Sequence, residues 1–173
     1  YSEDSLIEQT CIQLLRDQRI WVEQKCLHQL ALVYNSALTK MQDAISSISY
    51  VSRQLALHAD TQNDAGTLNL GVRYINTFIR EAIKRKDVHA IFDIFHQYKE
   101  LANELVDRRG SVVLEISKHL TYYAELARMA GLPFIYELAA YDLENMVECA
   151  YRKKATVREE MLGLLLSLDA LPA

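Results

Sequence analysis

Apolar residues recur at helical steps of three and four in a stretch, about 5–58, that contains no glycine or proline. From residue 27 onward the steps alternate regularly, as in a coiled-coil seam. The positions of this N-terminal seam are Leu27, Leu30, Tyr34, Ala37, Met41, Ala44, Ile48, Val51 and Leu55. The pattern predicts one long N-terminal helix over about 5–58, or two helices joined near 22–27, where the phase of the spacing slips.

Turn and capping residues divide the rest of the chain. The stretch 60–66, DTQNDAG, predicts a loop, because short polar side chains and glycine favour turns. Asp87 and Ser111 are predicted N-caps, and Gly131 followed by Pro133 predicts a helix end. Thr156 and Glu159 have the spacing of a capping box. The predicted later helices cover about 67–86, 88–108, 111–131, 133–153 and a short sixth one ending near 168.

These elements predict an all-α fold, an antiparallel bundle of five or six helices in one domain over 1–173. Only five glycines and two prolines occur, which is too few for the many tight turns of a sheet protein. Short connections place consecutive helices side by side in opposite directions. The chain opens with Tyr1 rather than Met, and we expect it to be a fragment of a longer protein.

Composition narrows the classes of partner and the compartment. With 50% hydrophobic residues and a net charge of −4, the chain is typical of a folded domain and has no general attraction for nucleic acid. Cys11, Cys26 and Cys149 are odd in number and lack CxxC spacing, so we expect reduced, buried thiols and a cytoplasmic location. The longest uncharged stretch, 26–39, is shorter than the roughly 20 residues that span a bilayer.

One row of side chains in the third helix has the chemistry of metal ligands. His89, Asp93, His96 and Glu100 follow steps of four, three and four and share a helix face. That face points away from the apolar stripe of the same helix, and the Glu-x-x-His pairs of di-iron bundles do not occur. We therefore expect a solvent-exposed row, with no metal and no cofactor. A bound metal or an interface on this face is the alternative, and metal-dependent chemistry at His89, Asp93 and His96 would follow from the metal.

Tyrosines gather in the fourth and fifth helices beside two acids. This set predicts either a core with hydrogen-bonded hydroxyls or a semi-polar pocket for a small ligand. The candidate ligand-binding residues are Tyr122, Tyr123, Tyr136, Glu137, Tyr141 and Asp142.

Basic clusters occur at 84–86, 108–109 and 152–154, each at the end of a predicted helix. Cations there complement the exposed carbonyl groups and the helix dipole, which accounts for them. An anionic partner at the end shared by the last two clusters is the alternative.

No nucleophile motif or glycine-rich phosphate loop is present, so nothing indicates catalysis.

Three segments, IREAIKRKD (79–87), FHQYKELA (95–102) and LPFIYELAAYDL (132–143), resemble soluble helical regions of bacterial inner-membrane proteins. The resemblance implies a cytosolic domain tethered to a membrane by a segment outside this chain. It assigns no functional residue.

Two functions follow as hypotheses. The first is a non-enzymatic interaction or regulatory domain that binds a second copy of itself or another helical protein. Its expected interface lies on the N-terminal seam, at Leu30, Tyr34, Met41, Ile48 and Val51. The second is a ligand-binding bundle with a tyrosine-lined pocket between the fourth and fifth helices.

Overall fold

The computed structural model describes residues 41–169, with side chains from Ser49 to Leu168 except Val51. This part of the chain contains six helices and no strand, which confirms the all-α prediction. The helices are α1 (Met41–Thr61), α2 (Ala65–Arg85), α3 (Val88–Leu105), α4 (Gly110–Met129), α5 (Pro133–Arg152) and α6 (Arg158–Asp169). The predicted helix before residue 41, its break near 22–27 and the side chains of the expected interface lie outside the described residues.

The chain forms two compact units, one ending at Ala82 and the other beginning at Ile83. The first contains α1 and nearly all of α2. The second contains α3 to α6.

In the first unit, α1 packs against α2 through small side chains. Ser49, Ser52, Ala56 and Ala59 are buried, and Leu55 of the N-terminal seam is buried with them. Gly71 of α2 lies so close to α1 that a Cβ atom there would come within 2.8 Å of the Ser52 carbonyl oxygen. Helices approach this closely only where neither carries a large side chain at the crossing. The apolar stripe of α2 is buried, at Leu68, Val72, Ile75, Phe78, Ile79 and Ala82.

The loop between α1 and α2 is shorter than the predicted 60–66. The helix α1 continues to Thr61, and α2 begins at Ala65, two residues before the predicted start. Asp64 explains the early start, because its carboxylate accepts hydrogen bonds from the Thr67 amide at 3.1 Å and the Thr67 hydroxyl at 2.6 Å. These bonds hold the pKa of Asp64 below its ordinary value. Their stabilisation is present above the unfolded-state pKa and is lost as the pH falls through the folded one.

In the second unit, α5 packs against α3, α4 and α6, and α4 packs against α3 and α6. Asp87 caps α3 as predicted, accepting from the Ala90 amide at 3.1 Å. Asn103 of α3 donates to Asn145 of α5 at 3.0 Å, and its carbonyl accepts from Cys149 and Lys153 further along α5. Lys99, one turn before Asn103 on α3, lies near Asp142, which is one turn before Asn145 on α5. Later residues of α3 therefore contact later residues of α5. The two helices therefore run in the same direction.

Two predicted caps are wrong, and one predicted stop is confirmed. The helix α4 begins at Gly110 with Arg109 at the N-cap, so Ser111 lies inside the helix and is exposed. The helix α6 begins at Arg158, too late for a capping box with Thr156 at the N-cap. Val157, which precedes the helix, is buried beside Gly110. Gly131 ends α4 as predicted: its φ is 86°, and the Leu132 amide donates to the Ala127 carbonyl at 2.9 Å.

Candidate functional site

The His/Asp/Glu row of α3 lies on the surface, as predicted. His89 pairs with Asp93 at 3.5 Å, and His96 pairs with Glu100 at 3.8 Å. Each pair joins residues four apart on one helix, which is an ordinary surface contact. Among the described residues, no group of three or more His, Cys, Asp or Glu side chains has the arrangement of a metal site.

The six predicted ligand-binding residues do not form one site. Tyr123 is in the core, 1% exposed, whereas Tyr122 is 55% exposed and packs edge-on against the Tyr123 ring at 5.2 Å between centroids. Asp142 is buried, and Tyr141 is on the surface. Within the part of the chain that the structure describes, Tyr136 and Glu137 line one pocket together, and Tyr141 lines another.

This corner pocket lies where α4 passes into α5. It has a volume of about 330 Å³ and is lined by Arg128, Pro133, Phe134, Tyr136 and Glu137. Small-molecule pockets in proteins begin at about 300 Å³, so the volume suffices for a small ligand. An apolar wall with a few polar groups is also typical of such pockets.

Arg128 enters the corner pocket already paired. Its guanidinium donates two hydrogen bonds to the Glu125 carboxylate, one of them from Nε at 3.0 Å. These bonds raise the pKa of Arg128 and lower the pKa of Glu125. Because the pair is neutral, Glu137 is the uncompensated charge of the pocket.

Asp142 lies in the contact between α3 and α5 and is only 4% exposed. Burial raises the pKa of this carboxyl group, and the nearby positive charges of Lys99 and His96 partly oppose the shift. None of the described residues donates a hydrogen bond to it. Asp142 thus belongs to the helix–helix contact rather than to the corner pocket.

The outer face of α5 carries a second heptad pattern, which is exposed. Its residues, which we call the outer seam, are Phe134, Glu137, Tyr141, Glu144, Glu148 and Tyr151, in alternating steps of three and four. Tyr141 is 66% exposed, Phe134 42% and Tyr151 41%. The opposite face of α5 is buried against α3, α4 and α6. The outer seam therefore has the spacing of a helix-packing surface without a described helix on it.

The charges of the outer seam are uncompensated. No described residue forms an ion pair with Glu137, Glu144 or Glu148. A hollow of about 200 Å³ lies along the seam, lined by Tyr141, Glu144, Asn145 and Glu148. Tyr151 contacts a cation, because the Arg158 guanidinium lies 5.8 Å from its ring centroid. The seam thus offers aromatic surface next to free carboxylates.

The basic clusters serve helix ends where the structure describes their contacts. Arg108 donates to the Glu104 carbonyl at 2.8 Å, and Lys153 donates to the Asn103 carbonyl at 2.6 Å. Both bonds satisfy carbonyl groups near the end of α3. Arg108 therefore bonds the end of its own helix, as predicted, whereas Lys153 follows α5 and bonds a carbonyl group of α3.

The sequence interpretation missed the outer seam. Its 3–4 spacing is present in the sequence, but an apolar set on α5 that includes Ile135, Leu143 and Met146 repeats in the same segment. The apolar set is the expected core of the helix, and its repeat obscures the aromatic and acidic repeat of the outer seam. Exposure, which only packing determines, is the signal that separates the two.

Among the helices between residues 41 and 169, none has an apolar run of the length needed to cross a membrane. Comparison of the chain with protein-family models, with curated proteins and with solved structures gives no match.

Proposed function

We propose that this chain is a non-enzymatic helical interaction domain, with a regulatory role, that recognises a helical partner. The observation that carries the proposal is the exposed outer seam of α5. Helices that face only solvent need no 3–4 repeat of large side chains on their outer face. Tyrosine is among the side chains that most often anchor protein–protein contacts, and phenylalanine is enriched in such interfaces. The antiparallel order of the helices and the cytosolic, membrane-tethered location stay predictions within this proposal.

A panel of synthetic helical peptides tests the interaction. Three peptides, each about three heptads long, share a leucine stripe and differ only in whether the flanking residues are basic, neutral or acidic. We expect saturable binding of at least one peptide by calorimetry. Tyr141→Ala should weaken it about tenfold or more, because an aromatic anchor is lost.

Tyr122→Ala is the matched control, since Tyr122 is a similarly exposed tyrosine on α4. It should leave the affinity unchanged. If no peptide binds, or if both variants weaken binding equally, the outer seam is not a binding surface and the proposal fails.

Self-association through the N-terminal seam is part of the same proposal. Its support is the sequence pattern alone, at Leu30, Tyr34, Met41, Ile48 and Val51. Light scattering should report at least twice the monomer mass, and glutamate at Met41 or Ile48 should reduce it. A monomer at high concentration would contradict this part.

A second candidate function is small-ligand binding, which the corner pocket favours. Its volume suits a small ligand, and it holds Tyr136 and Glu137 of the predicted set. A thermal-shift screen of small molecules should give hits whose shift disappears when Phe134→Ala removes the apolar wall. Leu166→Ala, an exposed apolar position on α6, is the control. Hits that persist in Phe134→Ala would exclude this pocket.

A further inference from the structure

The outer seam repeats one arrangement at a distance of seven residues. Phe134 precedes Glu137 by three positions, and Tyr141 precedes Glu144 by three. At 1.5 Å per residue, the two aromatic–carboxylate pairs are separated by about 10 Å along α5. Glu148 continues the acidic row in the next turns. Each pair combines an aromatic ring with a free carboxylate on one exposed face.

A ring beside a carboxylate is suited to a Lys or Arg side chain. The cation pairs with the carboxylate, and its methylene stem or guanidinium plane lies on the ring. Apolar side chains of a partner would cover the rings of Phe134 and Tyr141 between these contacts. The composition of the seam therefore selects a partner helix that is basic as well as apolar.

The charge of the seam opposes the other occupants. A second copy that paired its own outer seam with this one would bring Glu137, Glu144 and Glu148 of both copies together, and like charges in contact are destabilising. Anionic lipid headgroups and nucleic-acid phosphates are repelled for the same reason. A basic protein segment is the class of partner that the uncompensated carboxylates favour.

We propose that the outer seam of α5 is a docking surface for a partner helix carrying Lys or Arg at positions seven residues apart, opposite Glu137 and Glu144. This inference rests on the proposed interaction function and adds the charge and the spacing of the partner. Recognition combines two exposed ion pairs with aromatic contact at Phe134 and Tyr141.

The test uses the whole chain and two designed peptides of equal composition. One has Arg residues seven apart with leucines between them, and the other has the same Arg residues five apart, which places them on different helix faces. We expect the seven-spaced peptide to bind at least tenfold more tightly, with an affinity that falls as salt concentration rises.

Substitutions locate the effect. Glu137→Gln with Glu144→Gln should weaken binding of the seven-spaced peptide about tenfold, because two exposed ion pairs are lost. This loss corresponds to about 1.4 kcal/mol. The control is Glu104→Gln with Glu115→Gln, two exposed acids on α3 and α4. Circular dichroism of each variant verifies that the fold is retained.

The outcomes separate this inference from the function on which it rests. If the neutral or acidic peptide binds as tightly as the basic one, and Tyr141→Ala still weakens binding, the interaction function holds and the basic partner is wrong. The inference is also overturned if the two Arg peptides bind equally well. It is overturned likewise if spermine, a flexible polycation, displaces both peptides equally well. Loss of all peptide binding contradicts both.

Discussion

Gly71→Ala is expected to destabilise the first unit by about 1–3 kcal/mol, the usual cost of forcing extra volume into a packed contact. The added Cβ would lie 2.8 Å from the Ser52 carbonyl oxygen and 2.9 Å from the Ala56 Cβ. Two of the three nearest atoms are backbone atoms of α1, so relief requires the helices to separate. Alanine's better helix propensity contributes about 1 kcal/mol in the opposite direction and does not compensate. Urea unfolding, followed by far-ultraviolet circular dichroism, measures the difference.

Gly66→Ala provides a control within the same helix. Its added Cβ would meet only the Asp64 side chain, at 3.6 Å, which is an ordinary contact. We expect no loss and a gain of up to about 1 kcal/mol from helix propensity. Hydrogen exchange of the α1 and α2 amides should assign the loss in Gly71→Ala to this helix pair. Equal stability of the two variants would show that α1 and α2 do not approach as described.

Asp142→Asn is expected to raise the stability of the protein at neutral pH, because it removes a buried charge. The carboxyl group is buried, and its pKa is raised mainly by desolvation. A raised folded-state pKa means that the folded protein binds this proton more tightly than the unfolded chain does. The resulting stabilisation is complete below the unfolded pKa, near 3.8, and is lost as the pH rises through the folded pKa. Asparagine keeps the shape of the protonated acid at every pH.

The melting temperature of Asp142→Asn should therefore exceed that of the unchanged protein by a few degrees at pH 7. The difference should shrink as the pH approaches 4. Asp93→Asn, at an exposed acid on α3, is the control and should change little. Lower stability of Asp142→Asn at pH 7 would show that attraction to Lys99 and His96 outweighs desolvation.

The candidate site was only partly predictable. Tyr136 and Glu137 of the predicted set line the same corner pocket, since they are adjacent in sequence at the start of α5. Tyr123 and Asp142 were grouped with them because all four residues lie on α4 and α5. Tyr123 is buried in the core, whereas Asp142 is buried in the contact between α3 and α5. The position of a residue in a helix determines which face of the helix its side chain occupies. Which face is buried depends on the helices packed around it.

Helical periodicity, the scarcity of turn residues and the Asp87 and Gly131 signals determined the helices from the sequence alone. These features act within a few residues, through backbone hydrogen bonding and the local conformations that each side chain permits. Tertiary packing alone decided that Gly71 lets α1 and α2 touch, that Asp142 is buried and that the outer seam of α5 faces solvent. Each of these depends on residues distant in sequence, since burial is a property of the assembled surface rather than of any segment.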